Sequence, residues 1–253
     1  MGGRLEQAGR RGREVQGEGA QGHHVHGLPG GLINAILSSE KEKFYDSSGK
    51  VTYKTNPAVK SAFDLTAKAA EEGLVGAQTQ FQPAWDTTIA HSKFATVACP
   101  PWMLGYIKGK SKPESAGKWD VAAAPKSGNW GGTFLAVPKS GKHVKEAEAF
   151  ITWLTAPEQQ AKLFKVQGSF PSAPSAYSSS AVTGAKNEMT GDSPIGTIFA
   201  KAAQSSPVQT IGPKDQIIQQ GLTDNGVILV TKGKSPEEAW NTATKTIDNN
   251  LDK

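Results

Sequence analysis

The sequence predicts an α/β fold, on three observations. Short apolar, β-favouring runs recur, and each stops at a proline: Phe94–Cys99 at Pro100, Trp119–Ala124 at Pro125, and Thr133–Val137 at Pro138. Proline cannot continue a central strand, so these read as strands with hard ends. Stretches with apolar residues at helical spacing lie between and after them. Apolar residues make up 37 % and charged residues 20 % of the 253 positions, the composition of a globular chain with room for one large or two smaller domains.

Residues 1–27 differ from everything that follows. They are rich in Gly, Arg, Gln and His and have little to bury, so a disordered tail is expected. His23, His24 and His26 fall in that tail, where a histidine cluster has no fixed geometry, and no metal site is expected. Gly31–Leu37 reads as a short apolar helix end. Tyr45–Lys50 is turn chemistry, and Val51–Tyr53 is β-favouring. Asn56-Pro57 opens a helix, with Asn as the cap and Pro in its first position. Ala58, Val59, Ala62, Phe63, Thr66 and Ala69 follow at helical spacing until Gly73. Residues 84–94 read as another helix, carrying Trp85, Ile89 and Phe94.

The run Ala98-Cys-Pro-Pro-Trp-Met-Leu-Gly-Tyr-Ile-Lys108 is the feature around which the rest is read. A buried strand, a proline break and a helix start place Trp102 at the junction. After the Trp119–Ala124 strand, Lys126–Gly132 is a glycine-rich loop carrying Trp130, and the Thr133–Val137 strand follows. The chain turns helical from His143, with Ala147, Phe150, Ile151 and Leu154 on one face. Pro157 restarts a helix that closes at a Gly168 C-cap. Phe170-Pro171-Ser172 belongs to a Pro/Ser loop. Helical stretches follow near 178–189 and 194–204, and a long amphipathic helix over 213–232 is strained at Gly221 and Gly226. Ser235-Pro236-Glu237-Glu238 is a capping box that opens the last helix.

Charge and motifs exclude several functions. The net charge is +5, but lysines interleave with acids and form no stripe, so no nucleic acid partner is expected. No apolar stretch approaches a membrane span. Cys99 is the single cysteine, which leaves no internal disulfide and reads as a buried structural thiol. Residues 1–27 lack the apolar core of a signal peptide, which taken literally leaves the product in the cytoplasm. Between Gly76 and Val137 the only acids are Asp86, Glu114 and Asp120, and one carboxylate beside Trp85 is not an acid/base pair. No nucleophile elbow and no phosphate-binding glycine motif occurs, so no catalytic residue and no cofactor is assigned.

What remains is a set of aromatics at breaks and loops: Trp85, Trp102, Trp130 and Phe170. Indole faces suit the C–H faces of pyranose rings, with Asp, Asn and backbone amides for the hydroxyls. For each aromatic alone, core packing is the favoured reading, and only the set of four at breaks rather than mid-element brings the functional reading level with it. For Trp102, Met103, Leu104 and Ile107 would be its core companions. Both readings stay open on the residues themselves.

The order of motifs resembles the carbohydrate-type extracellular solute-binding proteins of ABC importers. The resemblance rests on Tyr45-Asp46-x-x-Gly49-Lys50, Asn56-Pro57-Ala58-Val59, Phe94 to Cys99, and Pro101-Trp102-Met103-Leu104-Gly105. It continues through Val121–Pro125, Gly131-Gly132 to Pro138, Ala147-x-x-Phe150-x-x-Trp153-Leu154-Thr155-x-Pro157-Glu158-Gln159, and Phe170-Pro171-Ser172. It covers roughly residues 31–253 and lies nearest the actinobacterial cellobiose and cello-oligosaccharide binding proteins.

The resemblance implies a periplasmic-binding-protein-like (type II) two-lobe α/β fold closing on a sugar, here with most of the first lobe missing. Residues 1–27 would be a non-family tail, 28–130 a second-lobe α/β segment, 131–189 a helical segment belonging to the first lobe across the hinge, and 190–253 C-terminal helices returning to the second lobe. Phe150, Trp153 and Phe164 would then lack part of their cover. Trp102 would stack on a sugar ring, Trp130 and Gly131 would lie in the segment crossing between lobes, and Phe170 would border the cleft. Trp85 and Asp86 would face ligand from the preceding helix. The implied partners are an oligosaccharide and the ABC permease subunits, the implied state is a monomer, and the family is an extracellular, membrane-anchored lipoprotein family. Two other readings remain: a glycoside-acting enzyme, which needs a second acid within about 10 Å of Asp86, and a fragment with no function of its own.

Overall fold

A computed structural model describes residues 24–252. Backbone contacts divide the chain into two units: residues up to Cys99 together with Pro207–Lys253, and Pro100–Ser206. The chain builds part of the first unit, builds the second whole, and then completes the first.

Strand β1, His24–His26, pairs in parallel with β2, Phe94–Thr96, in register His24 with Phe94 and His26 with Thr96. This corrects the expected tail at residues 24–27: Gly27 donates its N–H to Thr96 O at 2.8 Å and is buried, and Leu28 is buried with it. Residues 1–23 lie outside the described residues. Helix α1 is Pro29–Leu37, α2 is Pro57–Glu71 and α3 is Pro83–Ala90, each with proline in its first turn. Phe94, expected at the end of α3, opens β2 instead, after Ser92 turns the chain with φ at 49°. Val51 makes a single antiparallel bridge to Tyr45, and Val51–Tyr53 goes no further as a strand.

In the second unit, α4 is Met103–Lys110, α5 Val144–Leu154, α6 Pro157–Gln167, α7 Ser180–Thr183 and α8 Ile195–Ser205. Neither Trp119–Ala124 nor Thr133–Val137 is a strand. A strand is completed by a neighbour's N–H and C=O groups, which β-favouring side chains cannot supply. Among the described residues neither run has such a ladder partner, and Phe134 is 96 % exposed. Short bonds tie the first of these runs to a later loop: Gly117 N to Glu188 O at 3.0 Å, Trp119 N to Met189 O at 3.1 Å, and Ser193 Oγ to Asp120 Oδ1. Those bonds tie residues 117–120 to residues 188–193 within the second unit, Pro100–Ser206.

The chain then re-enters the first unit through α9, Asp215–Leu222, a π-helical turn at Thr223–Val227, α10, Ile228–Thr231, and α11, Pro236–Leu251. The strain expected at Gly221 and Gly226 has a packing origin. A Cβ on Gly221 would lie 2.2 Å from Ile247 Cγ1, and one on Gly226 would lie 2.7 Å from Phe63 Cε2, so glycine lets this helix sit directly on α11 and α2.

The core of the first unit lies among α1, α2, α9, α10 and α11, with Phe44, Phe63, Leu37, Ile218, Leu222 and Ile247 at 1 % exposure or less. Each such side chain contributes about 1.5–3 kcal/mol on burial. Trp240 meets Phe63 edge-on at 5.0 Å between ring centroids. Local chemistry sets the helix starts. Asn56 Oδ1 accepts from Ala58 N at 2.9 Å, while its amide donates to Glu42 O and Lys43 O, so one side chain caps α2 and ties it to the preceding loop. Ser235 and Glu238 form the reciprocal capping box of α11.

Candidate functional site

The second unit holds four of the six expected site residues, and the Pro-Trp segment is its centre. Met103, Leu104 and Ile107 on α4 are buried at 0, 6 and 1 % exposure. Trp102, the N-cap residue of that helix, is 38 % exposed. The turn before it is closed by Met103 N to Pro100 O at 3.0 Å and Leu104 N to Pro101 O at 3.2 Å. The helix therefore spends its apolar residues on the core and leaves the largest ring partly in solvent at its start.

The Phe170 loop is brought up against this segment. Helix α6 ends at Gly168, whose φ is 79°, and the backbone there lies against Pro101 O. A Cβ on Gly105 would in turn lie 3.6 Å from Gln167 O, so α4 and the end of α6 touch backbone to backbone. Gln160 staples the loop from below. Its Oε1 accepts from Ser172 N at 2.7 Å, Ser172 Oγ at 3.1 Å and Ala173 N at 3.3 Å, while its Nε2 donates to Thr155 O. Sequence reasoning passed over Gln160, although it directly follows the quoted Pro-Glu-Gln run.

Phe170 itself is half-buried. Its ring meets Phe164 at 5.1 Å, Tyr177 at 5.2 Å and Phe199 at 6.1 Å. It is the hub of an aromatic cluster that covers Phe164, which is 4 % exposed; the expectation that Phe164 would lack cover is corrected by this cluster. Phe150 and Trp153 do stand out, at 56 and 55 % exposure, and no residue of α5 is buried.

Trp130 is half-buried and Gly131 is exposed with φ at 81°, both on irregular backbone. This run is anchored near both ends. Asp120 accepts from Val121 N at 2.7 Å and from Ser193 Oγ, and Ser205 Oγ donates to Ser127 Oγ at 2.9 Å. The Ser193 hydroxyl, then the Val121 amide, hold the Asp120 carboxyl below its usual range, so it is ionised at neutral pH. Lys108 pairs with Glu188 at 2.7 Å and fixes the same loop to α4.

Trp85 and Asp86 lie in the other unit, on α3. Trp85 is fully buried at 0 % exposure, which corrects its assignment as a ligand-facing ring: the start of α3 turns it inward, onto the core beside Ile89. Asp86 is half-buried in the first turn of α3, where a carboxylate is favoured by the helix dipole. The ring that faces outward here is Phe81, 46 % exposed, set edge-on to Trp85 at 5.1 Å and 89°.

Cys99 is half-buried, and burial of its thiol pushes the pKa up to about 11. Such a thiol is a poor nucleophile at neutral pH. Among the described residues no cluster of three or more His, Cys, Asp or Glu could hold a metal ion, and no helix is long and apolar enough to cross a membrane. The arrangement offers aromatic faces, backbone amides and an anchored loop. These suit the binding of an uncharged polar ligand.

Comparison with known proteins bears on this surface. The profile of the family described as bacterial extracellular solute-binding protein matches residues 30–191. The lactose-binding protein of Rhizobium radiobacter is 27 % identical over 156 residues, 57 % of this chain and 36 % of its own length. A crystal structure described as extracellular solute-binding protein family 1 is 32 % identical and superposes with a TM-score of 0.84 over 97 % of this chain and 63 % of its own. The ABC transporter associated binding protein from B. animalis subsp. lactis Bl-04, in complex with beta-1,6-galactobiose, is 18 % identical with a TM-score of 0.72, covering 90 % of this chain and 61 % of its own. At that identity the likeness shows the fold alone. The chain spans about a third of the curated relative and under two thirds of the solved structures. The fold is of the periplasmic-binding-protein-like, type II class.

Proposed function

The chain belongs to the bacterial extracellular solute-binding protein family, and from that premise we propose that it binds an oligosaccharide and hands it to the permease subunits of an ABC importer. Cellobiose or a short cello-oligosaccharide is the sugar we assign. The observation that carries the reading is the exposure of Trp102 beside the buried Met103, Leu104 and Ile107. A ring needed for the core would sit with those three. Left 38 % exposed on a proline-closed turn, the indole is a platform for the C–H face of a pyranose.

Trp130 and Gly131 are proposed to approach the ligand from the loop anchored at Asp120 and Ser127, with the Gly131 backbone open to hydroxyl groups. Phe170 acts mainly by holding its loop against Pro101. The sugar-binding character of the relatives supports the ligand class, and the resemblance of the motif order as a whole to cello-oligosaccharide binding proteins supports the sugar. The protein works outside the cytoplasmic membrane, as the family does, as a monomer and without a catalytic step.

Calorimetric titration of the chain with cellobiose, cellotriose and lactose tests this. Binding of the cello-sugars is expected, with W102A weakening it about tenfold, the size of one lost stacking contact. Unchanged affinity in W102A, or no binding of any of the three, overturns the reading. Tighter binding of lactose overturns the cello-oligosaccharide assignment alone.

A further inference from the structure

We propose that residues 168–172 form a taut strap along α6 and that Gln160, which anchors its far end, is a positioning residue for the Trp102 platform; the assignment rests on the sugar-binding reading above. The strap follows from lengths. Helix α6 spans Pro157–Gln167 and closes at the Gly168 C-cap, where the chain turns back. At the rise of an α-helix, Gln160 and Gly168 stand about 12 Å apart. The chain then covers that distance between Gly168 and Ser172, because Ser172 is bonded to Gln160. Fully extended, that stretch reaches about 14 Å, so it has little slack.

One side-chain oxygen holds the far end. Gln160 Oε1 accepts from Ser172 N, Ser172 Oγ and Ala173 N, and among the described residues it is the only acceptor of those two backbone amides. Pro171 and Pro174 beside them have no N–H to give. The Gln160 amide nitrogen donates in turn to Thr155 O, the C-cap residue of α5, so the anchor is itself fixed. The near end is Gly168, set against Pro101 O immediately before Trp102. Phe170 lies midway, its ring against Phe164, Tyr177 and Phe199. All of these residues belong to the second unit. Without the anchor the strap is free to slacken, and the turn that presents Trp102 loses its backing.

The test is calorimetry of the full chain with cellotriose, comparing Q160M, Q160E and W102A with the unsubstituted protein, and amide exchange read at Ser172 and Ala173. Q160M keeps the bulk of the side chain and removes the acceptor. It is expected to exchange faster at both amides and to bind about fivefold more weakly, with the loss in the entropy of binding, since the ligand must then order the loop. Q160E keeps an acceptor for the same three donors and is expected to restore both the slow exchange and the affinity. A purely structural Gln160 would lower the melting temperature of Q160M and leave its affinity unchanged. If the unsubstituted chain binds and W102A is weakened while Q160M binds as tightly as the parent, the Gln160 assignment falls and the sugar-binding reading stands. Slow exchange restored in Q160E without restored affinity also overturns it. If Q160M does not fold, S172A, which removes one donor, is read in its place: about twofold weaker binding is expected, and unchanged affinity overturns the assignment. If the unsubstituted chain does not bind cellotriose, the sugar-binding reading falls and takes this assignment with it.

Discussion

Gly168 stands against the backbone of Pro101: a Cβ added there would lie 3.6 Å from Pro101 O. The end of α6 and the turn that presents Trp102 are thereby one piece of structure. The added atom would be at ordinary contact distance, so space is not the difficulty. The difficulty is φ of 79°, which costs an L side chain about 1–2 kcal/mol. G168A is therefore expected to lose about 1 kcal/mol in urea denaturation, and G168N less, since asparagine tolerates this region better.

Lys43 and Asp215 form a mostly buried ion pair at 2.9 Å, with side chains 9 and 16 % exposed. Asp215 also accepts from Gly212 N at 3.1 Å and occupies the first turn of α9. Removing one partner strands the other charge away from water. D215A is expected to destabilise the first unit by about 3 kcal/mol, whereas a K43M, D215L double substitution costs much less. Chemical denaturation of the two variants side by side checks the difference.

Asp248 links α11 to the loop before α2. Lys54 Nζ and Tyr53 Oη both reach it at 2.6 Å, and these bonds, that of Lys54 first, hold its carboxyl below 3.8. A carboxyl with a lowered folded pKa contributes stability that is full above its unfolded value and is lost as pH falls through the folded one. Stability is expected to fall below about pH 4, and D248N is expected to flatten that slope. Melting temperatures between pH 6 and pH 2.5 measure it. The pair with Lys54 is half exposed, so the effect is modest.

Phe150 and Trp153 lie 6.0 Å apart on the open side of α5. An apolar patch of that kind binds hydrophobic dyes and favours association. F150E together with W153K is expected to reduce dye binding and concentration-dependent aggregation while leaving the unfolding free energy within about 0.5 kcal/mol. Light scattering and dye fluorescence on the same samples check both parts.

Residues acting within one turn of themselves were legible in the sequence. Asn56-Pro57 starts α2, Ser235-Pro236 with Glu238 starts α11, and Pro157 and Gly168 bracket α6. A cap is satisfied by backbone groups two or three residues away, so its chemistry is complete in the local sequence. The place of Trp102 at a proline break was legible for the same reason, but its exposure was not. What depended on a distant partner was decided by the tertiary structure. Trp119–Ala124 and Thr133–Val137 have strand composition and no ladder. His24–His26 has a poor composition and pairs with Phe94–Thr96. Trp85 and Phe81 are both aromatics beside Pro83, and only the packing of α3 turns one into the core and the other outward. The sequence by itself determined where helices begin and end and which rings stand at breaks. Which rings face solvent and which runs become strands was settled by neighbours far along the chain, because burial and ladder hydrogen bonds are properties of pairs.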